Sequence, residues 1–142
     1  AKVVKPGSEF TVLTYLTQVS QAVSVAREMG IDAEVIDLRS LDRAGIDWAT
    51  IEASVRKTNH VVMLEQGPLT TSYGAMICDE LQRRMFDFLD HPVRRIHGGE
   101  SSPSVSKRLE RSAFVGEEEV REGFTRMLED AGGRTLQGGQ HG

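Results

Sequence analysis

Four imidazoles, one thiol and a few carboxylates at strand ends are the groups in this chain that could do chemistry. His60, His91, His97 and His141 are scattered, and no Cys/His cluster has the spacing of a metal site. Each histidine reads as a surface or strand-end residue before a ligand or a base. Cys78 is the only cysteine, so no internal disulfide can form, and its place on a helical apolar stripe makes it a small inert core residue rather than a reactive thiol. Glu65 ends a short apolar strand, and the carboxyl ends of parallel strands border the crevice where α/β folds bind ligands. It is either a ligand-facing carboxylate or one satisfied by backbone donors of the following loop, and the second reading is preferred. Glu100, in His97-Gly98-Gly99-Glu100, raises the same question and reads as part of a loop. No GxGxxG follows the first strand and no GxxxxGK[ST] occurs, so neither dinucleotide nor P-loop phosphate binding is indicated. The expected catalytic, cofactor-binding and metal-ligating residues are therefore none.

The elements that would position these groups alternate. Lys2 to Lys5 is a short strand stopped by Pro6-Gly7, and Thr11 to Tyr15 is a second. A helix follows with Val19, Ala22, Val23, Ala26 and Met29 on one face, ended by Gly30. Ala33 to Leu38 is the next strand. Asp47 caps a helix whose buried stripe is Trp48, Ile51 and Val55, with Arg56 and Lys57 at its negative end. Thr58-Asn59 turns the chain into the strand Val61 to Leu64. A third helix begins near Gly74 with Ile77, Cys78, Leu81, Met85 and Phe88 at helical spacing, and it must stop before Pro92. Val93 to Ile96 is a strand, and residues 97–106 form a Gly/Ser/Pro loop. A helical turn is expected over 107–111. The last helix spans Glu117 to Ala131, with three glutamates at its positive end and Val120, Phe124, Met127, Leu128 and Ala131 inward. Alternating strands and helices call for a largely parallel sheet with helices on both faces. Residues 1–131 are expected as one domain and 132–142 as a flexible tail.

Composition bounds the partners. The chain has 142 residues, 39% apolar and 27% charged, which suits one globular domain. A net charge of −4 argues against nucleic acid. No apolar run of membrane-spanning length occurs and no signal-peptide pattern is visible, so a membrane partner is not expected. The lone cysteine fits a reducing compartment.

Several segments in order resemble the C-terminal domain of the beta subunit of thiamine diphosphate-dependent 2-oxo acid dehydrogenases of the pyruvate, branched-chain and acetoin type. They are Ala33 to Leu41 (AEVIDLRSL), Thr50 to Glu65 (TIEASVRKTNHVVMLE), Tyr73-Gly74-Ala75 and Phe86 to Val93 (FDFLDHPV), with Ala1 to Val4 and Gly7-Ser8 matching the entry into that domain. The resemblance implies a three-layer α/β/α sandwich, similar to the transketolase C-terminal domain. Its five-stranded sheet would be mostly parallel, with the short strand Lys2 to Lys5 antiparallel.

It also implies a non-catalytic assembly role. In that family thiamine diphosphate and Mg²⁺ are held by the N-terminal half of the beta subunit and by a Gly-Asp-Gly motif of the alpha subunit, and this chain contains no Gly-Asp-Gly. The implied partners are the subunit's own N-terminal half, the alpha subunit, a second beta subunit, and the peripheral subunit-binding domain of the dihydrolipoyl acyltransferase. The implied location is the cytoplasm, or the mitochondrial matrix in a eukaryote. Asp90, in Phe88-Leu89-Asp90-His91-Pro92, matches the acidic docking residue of family members. Such a carboxylate can meet a partner's cation or can organise the turn before Pro92. The stretch 42–45 and the serine-rich loop 101–106 depart from the family pattern. Two other readings stand beside this one: a free-standing α/β ligand-binding or regulatory module, and the same domain of another transketolase-like enzyme.

Overall fold

The computed structural model describes residues 1–39, 44–66, 73–97 and 115–132. Five strands form one sheet: β1 (Lys2–Lys5), β2 (Phe10–Thr14), β3 (Ala33–Asp37), β4 (Val61–Leu64) and β5 (Arg94–Ile96). Their spatial order is β1-β3-β2-β4-β5. β1 runs antiparallel to β3, while the β3/β2, β2/β4 and β4/β5 pairs are parallel. This is the mixed sheet implied by the resemblance. β2 lies at its centre, and all five of its residues are buried. That burial explains a sequence with almost no polar alternation, because both faces of a central parallel strand are covered.

The helices α1 (Gln18–Glu28), α2 (Trp48–Thr58), α3 (Tyr73–Met85) and α4 (Glu117–Gly132) supply those covers. Phe10, Val12, Val35 and Leu64 meet α1 and α4 on one face, through Ala22, Val25, Phe124 and Met127. Leu13, Ile36 and Met63 meet α2 and α3 on the other, through Ile51, Val55, Ile77 and Leu81. The period-2 alternation of the strands thus divides the core into two apolar layers.

The local signals acted largely as their chemistry requires. Asp47 accepts the Thr50 backbone N–H at 3.2 Å and its hydroxyl at 2.7 Å, which caps α2. Gly30 ends α1 at φ +65°. Some expectations need correction. Trp48 is only partly buried, with the Arg84 guanidinium 4.7 Å from its ring centroid, and Ser54 and Thr58 join Ile51 and Val55 on the buried side of α2. In α1 the buried side chains are Gln18, Ala22, Val25 and Ala26, whereas Val19 and Val23 are only partly buried. The helix is rotated so that Val25, facing the sheet beside Phe10, replaces them. Phe88 does not continue the buried stripe of α3. The α-helix gives way at Met85 to a 3₁₀ turn, Phe86–Phe88, whose tighter winding carries Phe88 out to 40% exposure. Glu100, the expected loop 98–106, the turn at 107–111 and the tail from 133 lie outside the described residues.

Candidate functional site

Polar groups gather at both ends of the sheet. At the carboxyl end, β2 is followed through α1 by β3 on one side, and β3 is followed through α2 by β4 on the other. The strand order therefore reverses beside β2, the position where open α/β sheets form their crevice. Glu65 and Tyr15 stand there, one at the end of β4 and one at the end of β2.

The Glu65 side chain is 1% exposed and fully engaged. Its Oε2 accepts the Tyr15 hydroxyl at 3.0 Å and the Gly74 backbone N–H at 2.8 Å. Its Oε1 accepts Arg95 Nη2 at 2.9 Å. Its own backbone N–H donates to the Ile96 carbonyl at 3.0 Å, which continues the β4/β5 ladder. Burial is the main cause that pushes the Tyr15 hydroxyl well above its ordinary value, and the Glu65 carboxylate adds to it, so Tyr15 stays a donor. The cluster joins β2, β4, β5 and the first turn of α3. Glu65 is a satisfied carboxylate, as read from the sequence, but its donors among the described residues are one backbone N–H from the first turn of α3, rather than from the loop before it, and two side chains that sequence reasoning missed. The available signal was a polar residue directly after an apolar strand, at both Thr14-Tyr15 and Leu64-Glu65. Cys78 lies close to this cluster, buried; burial chiefly raises its thiol to about 12, so it stays protonated at neutral pH.

At the opposite end, Asn59 turns α2 into β4 with φ +61°. Its side-chain amide donates to the Phe88 carbonyl at 2.8 Å, and its carbonyl accepts the Asp90 backbone N–H at 3.0 Å. The Arg56 guanidinium lies 5.5 Å from the centroid of the Phe88 ring. These contacts fix the corner that carries Asp90, whose side chain is exposed. Asp90 stands between two cavities. One, of about 450 Å³, is lined by Phe86, Leu89 and Pro92 with Gln82, Asp87 and His91. The other, of about 420 Å³, is lined by Ser8, Glu9, Asn59, His60 and the end of α4. Phe86 is 76% exposed beside the first. An exposed carboxylate on a rigid corner, next to uncovered aromatic surface, is suited to a cationic and apolar partner.

Among the described residues the histidines do not come together as a site of several ligands, and His141 lies outside those residues. His60 and His91 stack with ring centroids 5.4 Å apart, and His97 lies at the far end of β5. Among the described residues no group of three His, Cys, Asp or Glu side chains could hold a metal ion. No helix among them is long and apolar enough to cross a membrane.

Comparison with known proteins agrees with this architecture. The family described as "Transketolase, C-terminal domain" matches residues 1–120. The 2-oxoisovalerate dehydrogenase subunit beta of Pseudomonas aeruginosa is 38% identical over 129 residues, covering 91% of this chain and 36% of that protein. The mitochondrial pyruvate dehydrogenase E1 component subunit beta-1 of Oryza sativa subsp. japonica is 39% identical over 123 residues, 84% of this chain and 32% of its own. A solved structure titled "Split gene transketolase, inactive beta4 tetramer" superposes with a TM-score of 0.73 at 21% identity, covering 92% of this chain and 41% of that one. The chain thus spans about a third of the length of the curated relatives it matches. With a five-stranded mixed sheet between two helical layers, and a family match over most of its length, the chain belongs to the transketolase C-terminal domain family.

Proposed function

We propose that this chain is the C-terminal assembly domain of the beta subunit of a thiamine diphosphate-dependent 2-oxo acid dehydrogenase. The parent enzyme would decarboxylate a 2-oxo acid and pass the acyl group to lipoyl. The observation that carries this reading is the 38% identity to a 2-oxoisovalerate dehydrogenase beta subunit along nearly the whole chain. Residues 1–131 act as the domain and 132–142 as its tail. No side chain of this chain is assigned a step of the reaction, and the fragment by itself is inactive. Thiamine diphosphate and Mg²⁺ would belong to the parent enzyme's other parts. The compartment is the cytoplasm, or the mitochondrial matrix in a eukaryote; relatives described as mitochondrial occur.

Its work is to hold surfaces together. Its partners are the N-terminal half of the same subunit, the alpha subunit, a second beta subunit, and the acyltransferase's peripheral subunit-binding domain. Asp90 is the docking residue: exposed, held by its backbone to Asn59, and flanked by Phe86 and Leu89. Co-expression of the whole beta subunit with an alpha subunit, with and without this domain, tests the assembly role. Gel filtration is expected to give the assembled enzyme only when the domain is present, and lipoyl-dependent oxidation of pyruvate or 2-oxoisovalerate is expected to follow. Full assembly without the domain overturns the reading.

A further inference from the structure

Single exposed apolar residues are ordinary on a protein surface, but Phe86 is not single. It is 76% exposed and lines, with Leu89 and Pro92, the cavity of about 450 Å³. Asp87 and Asp90 line the same cavity. Phe86-Asp87 and Leu89-Asp90 repeat an apolar residue and an acid three positions apart, the spacing that brings side chains of a 3₁₀ turn to one side. The Leu89 N–H donates to the Phe86 carbonyl at 3.4 Å and closes that turn. Asn59 then holds the segment at two points, the Phe88 carbonyl and the Asp90 N–H. The patch is thus set before anything binds, which leaves little ordering to be done on contact.

Neither Asp87 nor Asp90 has a side-chain hydrogen-bond or ion-pair partner among the described residues. No described lysine or arginine lines the cavity. The arginines nearest in sequence are engaged elsewhere, Arg83 with Asp79 and Glu80, Arg84 with Glu80 and Glu52. A second copy of this chain docking patch to patch would set these carboxylates against themselves, since a two-fold contact pairs a surface with itself. Like charges brought together disfavour that pairing. The complement is an apolar side chain with cations beside it. We infer that Phe86 is the apolar anchor of the docking face: a partner segment seats one large apolar side chain in the cavity against Phe86, Leu89 and Pro92, and lysine or arginine residues flanking that side chain pair with Asp87 and Asp90. The inference rests on the docking reading above and adds to it the apolar contact that fixes where the partner sits, together with a second carboxylate. An aromatic anchor with charges at its rim is the arrangement in which few residues carry most of the binding energy.

Most of the Phe86 ring faces solvent, so its replacement is expected to leave thermal melts unchanged. Calorimetric titration of the full beta subunit with the acyltransferase's binding domain is expected to show at least about tenfold weaker binding for Phe86→Ala. Phe86→Leu is expected to recover most of the affinity. The heat-capacity change of binding is expected to become less negative in Phe86→Ala, as lost apolar burial requires. Asp87→Asn is expected to weaken binding less and to reduce its dependence on salt. Unchanged affinity in Phe86→Ala, with Asp90→Ala weakened, overturns the anchor and leaves the docking reading standing. Unchanged affinity in both variants overturns the docking reading as well. A salt dependence unaltered by Asp87→Asn overturns the pairing of that carboxylate. If Phe86→Ala blocks assembly with the alpha subunit on gel filtration, or abolishes a concentration-dependent self-association, the patch belongs to a subunit contact and the inference falls.

Discussion

The carbonyl oxygen of Asn59 accepts the backbone N–H of Asp90 at 3.0 Å, so the proposed docking carboxylate is fixed through its main chain and not its side chain. Its carboxylate is left to face outward. Removing the side chain should therefore separate stability from binding. Asp90→Ala is expected to change unfolding free energy by no more than about 0.5 kcal/mol, as for an ordinary surface substitution. It is expected to weaken capture of the acyltransferase's binding domain by about 2–5 kcal/mol if the pair is covered on docking, and by less at a rim. Urea unfolding and calorimetry read the two quantities.

Asn59 holds the same corner from the other side. Asn59→Gly keeps the left-handed backbone and loses the bond to the Phe88 carbonyl, so a loss of about 1 kcal/mol is expected. Asn59→Ala loses the same bond and keeps a Cβ at positive φ without the local hydrogen bonding that lets asparagine tolerate it, so it is expected to be less stable than Asn59→Gly by about 1 kcal/mol. Equal stability of the two variants in urea melts would show that the φ of this residue carries no cost.

Gly74 has no room for a side chain. A Cβ there would lie 1.8 Å from Glu65 Oε1 and 2.5 Å from its Cδ. Gly74→Ala must push the carboxylate away from Tyr15 and Arg95, which breaks a buried ion pair. That costs about 3–5 kcal/mol, offset by about 1 kcal/mol from the better helix propensity of alanine. A net destabilisation of about 2–4 kcal/mol is expected by denaturant titration. A neutral or stabilising result would mean that α3 can shift and that the cluster does not fix it.

The pH dependence of stability should carry the mark of Glu34. Burial pushes its carboxyl upward, but hydrogen bonds from Lys57, Ser54 and the Gly7 backbone outweigh it and hold the value below the usual 4.5. A depressed folded-state value binds protons later than the unfolded chain does. Its contribution is therefore complete above about pH 4.5 and is lost as the pH falls through the lower folded value. Lys57→Met is expected to lower stability at neutral pH and to flatten this acid limb. Melting temperatures from pH 7 to 3 for both proteins check the sign.

Cys78 should resist alkylation. With its thiol raised to about 12 by burial, iodoacetamide at pH 8 is expected to leave it unmodified in the folded protein and to label it fully in urea. Labelling of the native protein at the rate of a free thiol would mean that the α2–α3 face opens readily.

What could be read in the sequence was whatever depends on neighbours along the chain. The Asp47 cap, the Gly30 stop, the buried run from Val61 to Leu64 and the acidic start of α4 are local, and each appears close to where its chemistry puts it. The rotation of α1 was hidden, because Val19, Val23 and Val25 are all apolar and only packing against Phe10 and Phe124 chooses among them. Phe88 was misplaced because helical spacing extends past Met85 in the letters but not in the backbone. The Tyr15–Glu65–Arg95 cluster joins residues 50 and 30 positions apart, so no local pattern reports it. The antiparallel setting of Lys2–Lys5 came from resemblance alone, since a lone four-residue strand specifies no direction.

The edge-to-face contact of Phe10 and Phe124, with ring centroids 5.4 Å apart, links the first central strand to the last helix. During synthesis the buried core of the α2 and α3 layer can close as soon as Met85 leaves the ribosome, with only the partly buried Leu89 and Val93 still to be added. The other layer must wait for Val120 to Leu128. Until then Phe10, Val12 and Leu64 stay uncovered on that side, so a nascent or prematurely ended chain presents a half-roofed sheet to chaperones and to other such chains.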